Sequence, residues 1–211
     1  MQEDVIKALK ALREGSKKRN FSQTIDLIVN LKHFDAKKAE NKINETLALP
    51  NGREKPSKVV VFSDSAKGDG FAVLKGDELS ALGNDKRAAK RLAKETDFFL
   101  AEPKLMPLIG KSLGQMLAPQ GKMPALITGD AKEIVENCRR SVRIRVKDSP
   151  VIQCPVGAEG MEDEKIAENV ESVMRFLEKR LPKGKTSIAK VFVKMTMSKP
   201  VKVEQKQVKA G

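Results

Sequence analysis

Lys58-Val59-Val60-Val61-Phe62 is a short, almost unbroken apolar run. A strand with one wet face alternates apolar and polar residues, whereas a continuous run suits a parallel strand buried on both faces. Two further runs have the same texture, Phe98-Phe99-Leu100-Ala101 and Ala125-Leu126-Ile127. Helical spacing fills the intervals, near 76–83, 86–94, 103–117 and 130–138. Strands alternating with helices predict a βαβ-type parallel sheet.

Outward from this block the texture changes on both sides. Upstream, Val5, Ile6, Leu9 and Leu12 mark an amphipathic helix over 4–14, stopped by Gly15 and a basic turn. Residues 21–31 alternate, with Phe21, Gln23, Ile25, Leu27, Val29 and Leu31 on one side, and predict a strand. Residues 35–41 read as a turn or short helix, and 42–49 as a second strand broken by Pro50-Asn51-Gly52. Downstream, 141–147 (Ser-Val-Arg-Ile-Arg-Val-Lys) alternates with a basic face. A turn at 148–150 predicts that 151–154 pairs back on it as a hairpin. Residues 162–181 form a helix with Ile166, Val170, Val173, Met174 and Leu177 on one face, followed by a last strand over 188–197. The basic tail from Lys199 is expected to be mobile.

Antiparallel, parallel, antiparallel is the order of a split domain. The fold class expected is α/β with two domains. Residues 1–52 and 141–211 form a discontinuous α+β domain, an antiparallel sheet with helices, and 53–140 an inserted α/β domain. The two chain crossings would act as a hinge, with Gly52 beside one of them.

The charge narrows the function. The 211 residues carry 41 Lys or Arg against 28 Asp or Glu, a net charge of +13. Residues 1–52 carry +3, 53–140 carry +4 and 141–211 carry +6, so the excess falls mainly on the split domain. A chain this basic is expected to meet a polyanion. Aromatics are 4% and all Phe, which argues against many stacked bases and for recognition of the shape and backbone of a folded RNA. No run approaches the roughly 18 apolar residues of a membrane span. The acidic start lacks the apolar core of a secretory signal, and two cysteines, Cys138 and Cys154, make no disulfide framework. A reduced, cytoplasmic chain with no membrane partner is expected.

Enzyme signatures are weak. Lys67-Gly68-Asp69-Gly70 follows the first parallel strand but lacks the spacing of a phosphate loop. His33 has no ligand partner at metal spacing, and both cysteines read as packing residues. No catalytic residue, cofactor or metal is expected. The alternatives are a nucleotide-binding enzyme using the inserted domain and a nonspecific basic RNA chaperone.

Two patches read as binding surfaces. Lys17, Lys18 and Arg19 can fix phosphates, and Phe21, Ser22 and Thr24 at a strand entrance can meet ribose or base. Asp26, a carboxylate in mid-strand, can accept from a ribose or a base edge. The second patch runs from Lys190 to Lys199, ending in the loop Thr196-Met197-Ser198.

These residues resemble a known family. Ile109-Gly110-Lys111-Ser112-Leu113-Gly114-Gln115-Met116-Leu117-Ala118-Pro119-Gln120-Gly121-Lys122-Met123-Pro124 is similar to the punctuated segment of the large-subunit ribosomal protein family numbered one, archaeal in type. Asn20-Phe21-Ser22-Gln23-Thr24 resembles its first strand motif, Ala48-Leu49-Pro50-Asn51-Gly52 its hinge, and Cys154-Pro155-Val156-Gly157 and Thr196-Met197-Ser198 its later ones. The resemblance implies the split fold with a Rossmann-like insert, and binding of large-subunit ribosomal RNA at the mobile lateral stalk near the exit site. It also implies repression through the protein's own mRNA, contact with exit-site tRNA through the stalk, and a monomer when free. By position, the family's RNA contacts fall on Phe21, Thr24, Asp26, Thr196, Met197 and Ser198, with Lys190 at a neighbouring position. One sheet rim is expected to gather these groups. The chain departs from the family pattern at Ser198 and Ala118, each usually Gly, at Asp26, usually Glu, and at Lys190, where some members carry a hydroxyl.

Overall fold

The computed structural model describes residues 1–35, 42–64, 71–146 and 149–204. The chain divides into two compact units, Met1–Lys55 with Arg140–Gly211, and Pro56–Arg139. These boundaries lie within three residues of those read from the sequence.

Unit 1 is built on four antiparallel strands in the order β10-β9-β1-β8: β1 Thr24–Leu31, β8 Val151–Ala158, β9 Ile188–Met195 and β10 Val201–Val203. A second antiparallel pair joins β2 (Asn44–Ala48) to β7 (Ser141–Arg145). Ile25, Leu27 and Val29 alternate inward from β1. They share a core with Val5, Leu9 and Leu12 of helix α1 (Gln2–Glu14) and with Ile166, Val170, Val173 and Leu177 of helix α7 (Asp163–Arg180). The spacing of three and four in both helices gives each one apolar stripe, and the sheet covers it.

Three expectations about unit 1 need correction. Val151–Cys154 does not pair back on β7. Strand β8 pairs with β1, setting Ile152 beside Val29 and Cys154 beside Leu27, and β7 takes β2 instead. A hairpin would have satisfied the local turn but left one edge of β1 open. The tail from Lys199 contributes the edge strand β10, anchored by buried Val203. The alternation from Phe21 becomes strand only at Thr24, leaving Phe21 and Ser22 exposed before it. The turn expected at 35–41 lies mostly outside the described residues.

Unit 2 holds a four-stranded parallel sheet in the order β4-β3-β5-β6, with β3 Val59–Phe62, β4 Ala72–Leu74, β5 Phe98–Ala101 and β6 Ala125–Leu126. Every residue of β3 and β5 is buried, as their continuous runs predict. The third run behaves otherwise. β6 is the edge strand and both its residues are exposed. Strand β4 was not anticipated; only three residues long and half-exposed, it has no periodicity to read. The expected helix over 103–117 is three pieces: a 3₁₀ turn at Pro103–Leu105, α4 at Met106–Ser112 and α5 at Gly114–Gln120. The remaining helices are α2 (Gly76–Asn84), α3 (Lys86–Glu95) and α6 (Ala131–Arg140).

Candidate nucleic-acid interface

Antiparallel pairing brings the start of β1 to the end of β9. The Thr24 N–H donates to Thr196 Oγ1 at 3.1 Å, and the Thr196 N–H returns to the Thr24 carbonyl at 3.1 Å. The chain then turns sharply, with the Ser198 N–H donating to the Met195 carbonyl at 3.1 Å and the Met195 N–H to Ser198 Oγ at 3.0 Å. The second bond needs the hydroxyl, so the serine that departs from the family pattern closes this turn with its side chain.

Two large apolar side chains are exposed at this end. Phe21 is 50% exposed and Met197 60%, on segments otherwise fixed by hydrogen bonds. Gln23, fully buried, links them. Its Oε1 accepts from the Met197 N–H at 3.2 Å, its own N–H donates to Glu159 Oε2 at 3.2 Å, and its carbonyl accepts from the Glu159 N–H at 2.8 Å. Arg13 holds the next segment. Its guanidinium donates to the Glu159 carbonyl at 2.7 Å, the Met161 carbonyl at 2.7 Å and Asp163 Oδ1 at 2.8 Å. One buried amide and one three-pronged guanidinium therefore fix the Met197 backbone and the 159–163 segment, which shares a groove with Phe21.

Beside this rim lies an open groove of about 560 Å³. Lys18, Arg19, Asn20, Phe21 and Ser22 line one side, and Glu54 and Glu159 stand across from them. Cations there suit phosphates, and carboxylates suit the hydrogen-bond donors of ribose and base. Glu54 sits at φ +63°, a left-handed conformation that L side chains rarely adopt. Lys17 is exposed in the turn leading to the groove but does not line it.

Asp26 lies one step further along β1, at a bulge, opposite Pro155 on β8 and Lys194 on β9. Burial raises its carboxyl above the usual 3.8, and the Lys194 charge pulls it partly back. Lys190 is not at the rim. It faces Asn30, five positions along β1 from the Ile25–Met195 pair, or roughly 17 Å at 3.4 Å per residue. Because β9 runs antiparallel to β1, a residue six before Thr196 lands at the far end of the ladder. The structure thus brings together Phe21, Ser22, Thr24, Thr196, Met197 and Ser198, with Lys18 and Arg19 alongside. Asp26 is near by, and Lys190 stands apart.

Gly52, at φ +62°, is tied down within unit 1. The Nδ2 of buried Asn169 donates to its carbonyl at 2.8 Å, and the Asn51 N–H donates to Asn169 Oδ1 at 3.1 Å. Arg13, Glu159 and Asn169 act through partners more than a hundred residues away, so no local motif marks them. Gln23 carried the one available signal, a polar residue on the apolar side of an alternating strand.

The nucleotide-site alternative loses support where it can be tested. The Gly68–Gly70 stretch lies outside the described residues. In a doubly wound sheet, ligands sit at the carboxyl ends of the strands flanking the switch point, here β3 and β5. Ser63 there donates to the Glu102 carboxylate, and Asp64 Oδ1 accepts the Gly76 N–H of α2 at 3.0 Å. A helix N-terminus that would receive a phosphate already holds a carboxylate. Among the described residues no group of three His, Cys, Asp or Glu could hold a metal. Burial and the Asp26 charge push the Cys154 thiol up to about 12, which removes it as a nucleophile.

The sequence matches the ribosomal protein L1p/L10e family over residues 9–199. The chain belongs to that family. It is 40% identical to the large ribosomal subunit protein uL1 of Methanothermococcus thermolithotrophicus, over 97% of this chain and 99% of the relative. It is 41% identical to that of Methanobrevibacter smithii, over 96% of this chain and the whole relative, and 42% identical to that of Thermofilum pendens, over 98% and 94%. As an L1-family member it is a structural ribosomal protein, cytoplasmic as part of the ribosome, and not an enzyme.

Proposed function

We propose that this chain binds large-subunit ribosomal RNA through the rim formed by Phe21, Ser22, Thr24, Thr196, Met197 and Ser198. Lys17, Lys18 and Arg19 position phosphates, and Asp26 and the two groove carboxylates accept from ribose or base. The observation that carries this reading is the pair of exposed apolar side chains, Phe21 and Met197, on either side of the buried Gln23, beside a groove that offers both cations (Lys18, Arg19) and carboxylates (Glu54, Glu159). Two exposed apolar side chains at one end of a sheet, beside cations and hydroxyls, suit contact with ribose and base. The site lies at the lateral stalk near the exit site, where the protein also meets exit-site tRNA. The same rim binds the protein's own mRNA, by a mimic of the ribosomal site, and so represses its translation. The free protein is a monomer. Asn169 pins the chain up to Gly52, so bending between the units begins after that residue.

The test is titration against a stalk RNA fragment. Phe21→Ala and Met197→Ala lower affinity while the thermal midpoint holds. Thr196→Ser, which keeps the hydroxyl bonded to Thr24, binds better than Thr196→Ala. Unchanged affinity in both Phe21→Ala and Met197→Ala removes the rim assignment.

A further inference from the structure

Helix α3 breaks a rule that the other long helices keep. α1, α2, α6 and α7 each place acidic residues in the first turn, and α1 and α7 close on basic ones, as the helix dipole favours. α3 opens on Lys86 and Arg87, with no acid in its first turn. Lys86, Arg87, Lys90, Arg91 and Lys94 are all exposed, and none forms an ion pair among the described residues. Spacings of three and four set them along one stripe, roughly 12 Å long at 1.5 Å per residue. Lys86 and Lys90, Arg87 and Arg91, and Lys90 and Lys94 are like charges one turn apart, and such pairs repel.

The helix forms in spite of this. Asp85 Oδ1 caps it, accepting the Arg87 and Ala88 N–H groups at 2.9 and 3.1 Å. Ala89 and Ala93 bury the opposite face. Lys122 Nζ donates to the Ala93 and Thr96 carbonyls at 2.8 and 2.7 Å, bringing one more cation to its end. From Lys86 to Lys122 the chain holds eight cations and three acids. Solubility is served by interspersed signs, not by a single-sign stripe that works against its own helix.

We infer that α3 is a second RNA contact, in unit 2, gripping phosphates of the ribosomal RNA by charge alone. The inference rests on the ribosomal RNA reading of the rim. A lipid surface is the poorer fit. A membrane-surface helix needs exposed apolar residues beside its cations. Here Leu92, the helix's one large apolar residue, is half-buried against the core of unit 2.

The test is a salt series on the full chain and on a Lys90→Gln, Arg91→Gln, Lys94→Gln variant, with the stalk RNA fragment as probe. Glutamine keeps helix propensity, and circular dichroism checks the fold. Losing three phosphate contacts lowers the slope of log affinity against log salt by about two to three and costs about tenfold or more at low salt. Phe21→Ala weakens binding at every salt with the slope unchanged. A triple variant with parental affinity and slope, beside a weakened Phe21→Ala, overturns the α3 contact. So does vesicle binding (phosphatidylglycerol) that depends on the three residues when RNA binding does not. If the parent shows no preference for stalk RNA over an unrelated duplex, the rim reading fails, and the slope still decides α3.

Discussion

At the Thr24–Thr196 strand end of unit 1, Thr196 Oγ1, Ser198 Oγ and Gln23 Oε1 bond to the protein's own backbone, and the large side chains that project, Phe21 and Met197, are apolar. On α3 of unit 2 the reverse holds. Five cations project and none has a partner among the described residues. A fixed apolar and polar outline can discriminate one RNA shape from another, but it adds little long-range attraction. A row of mobile cations attracts any phosphate backbone and discriminates poorly. Salt separates the two, because it screens the second kind of contact far more than the first.

The largest expected effect comes from blunting the rim. Phe21→Ala with Met197→Ala should cost about tenfold to a hundredfold in stalk RNA affinity, taking stacking at roughly 1–3 kcal/mol per base. Fluorescence anisotropy at two salts would show the same loss at both; a loss confined to low salt would mean the rim reads charge.

Arg13→Ala comes next. Removing a guanidinium that serves two carbonyls and a carboxylate should lower unfolding free energy by about 1.5–3 kcal/mol and weaken RNA binding by loosening the 159–161 segment. Arg13→Lys should recover little of either, since an ammonium cannot span the fork. Full recovery by lysine in urea melts and titrations would show that charge, not geometry, holds the rim.

Glu54→Gly should raise stability by up to about 1 kcal/mol, by relieving the left-handed backbone at φ +63°. A fall in the thermal midpoint would show that the Glu54 side chain contributes more than its backbone costs.

The smallest effect concerns pH. Burial raises the Asp26 carboxyl above its ordinary 3.8, so the folded protein holds this proton more tightly than the unfolded chain does. That contribution is fully present below pH 3.8 and is lost as pH rises through the raised folded value. Asp26→Asn should therefore gain stability relative to the parent at pH 7 and lose the advantage as pH falls toward 3.8. Urea melts at both ends of that range would reveal a constant offset if burial were not the cause.

Local pattern made much of the fold readable. Val59–Phe62 and Phe98–Ala101 are apolar throughout and buried throughout, and the stripes of α1 and α7 face the core. Pairing was less readable. Nothing local tells Val151–Ala158 to choose β1 over β7, because the pairing joins strands more than a hundred residues apart in sequence. The rim residues were readable as types, and the resemblance located them. Their support was not: Gln23 meets Glu159 across 136 residues and Met197 across 174. The position of Lys190 was misplaced for a related reason, since strand direction decides which end of β9 meets Thr24.

The most direct measurement is a salt-series titration of the full chain against a stalk RNA fragment, with an unrelated RNA duplex of equal length alongside. Shape recognition by the rim predicts stalk RNA affinity that falls with salt yet stays well above the control throughout. Affinities that start equal and collapse together would contradict it, leaving a protein that reads only charge.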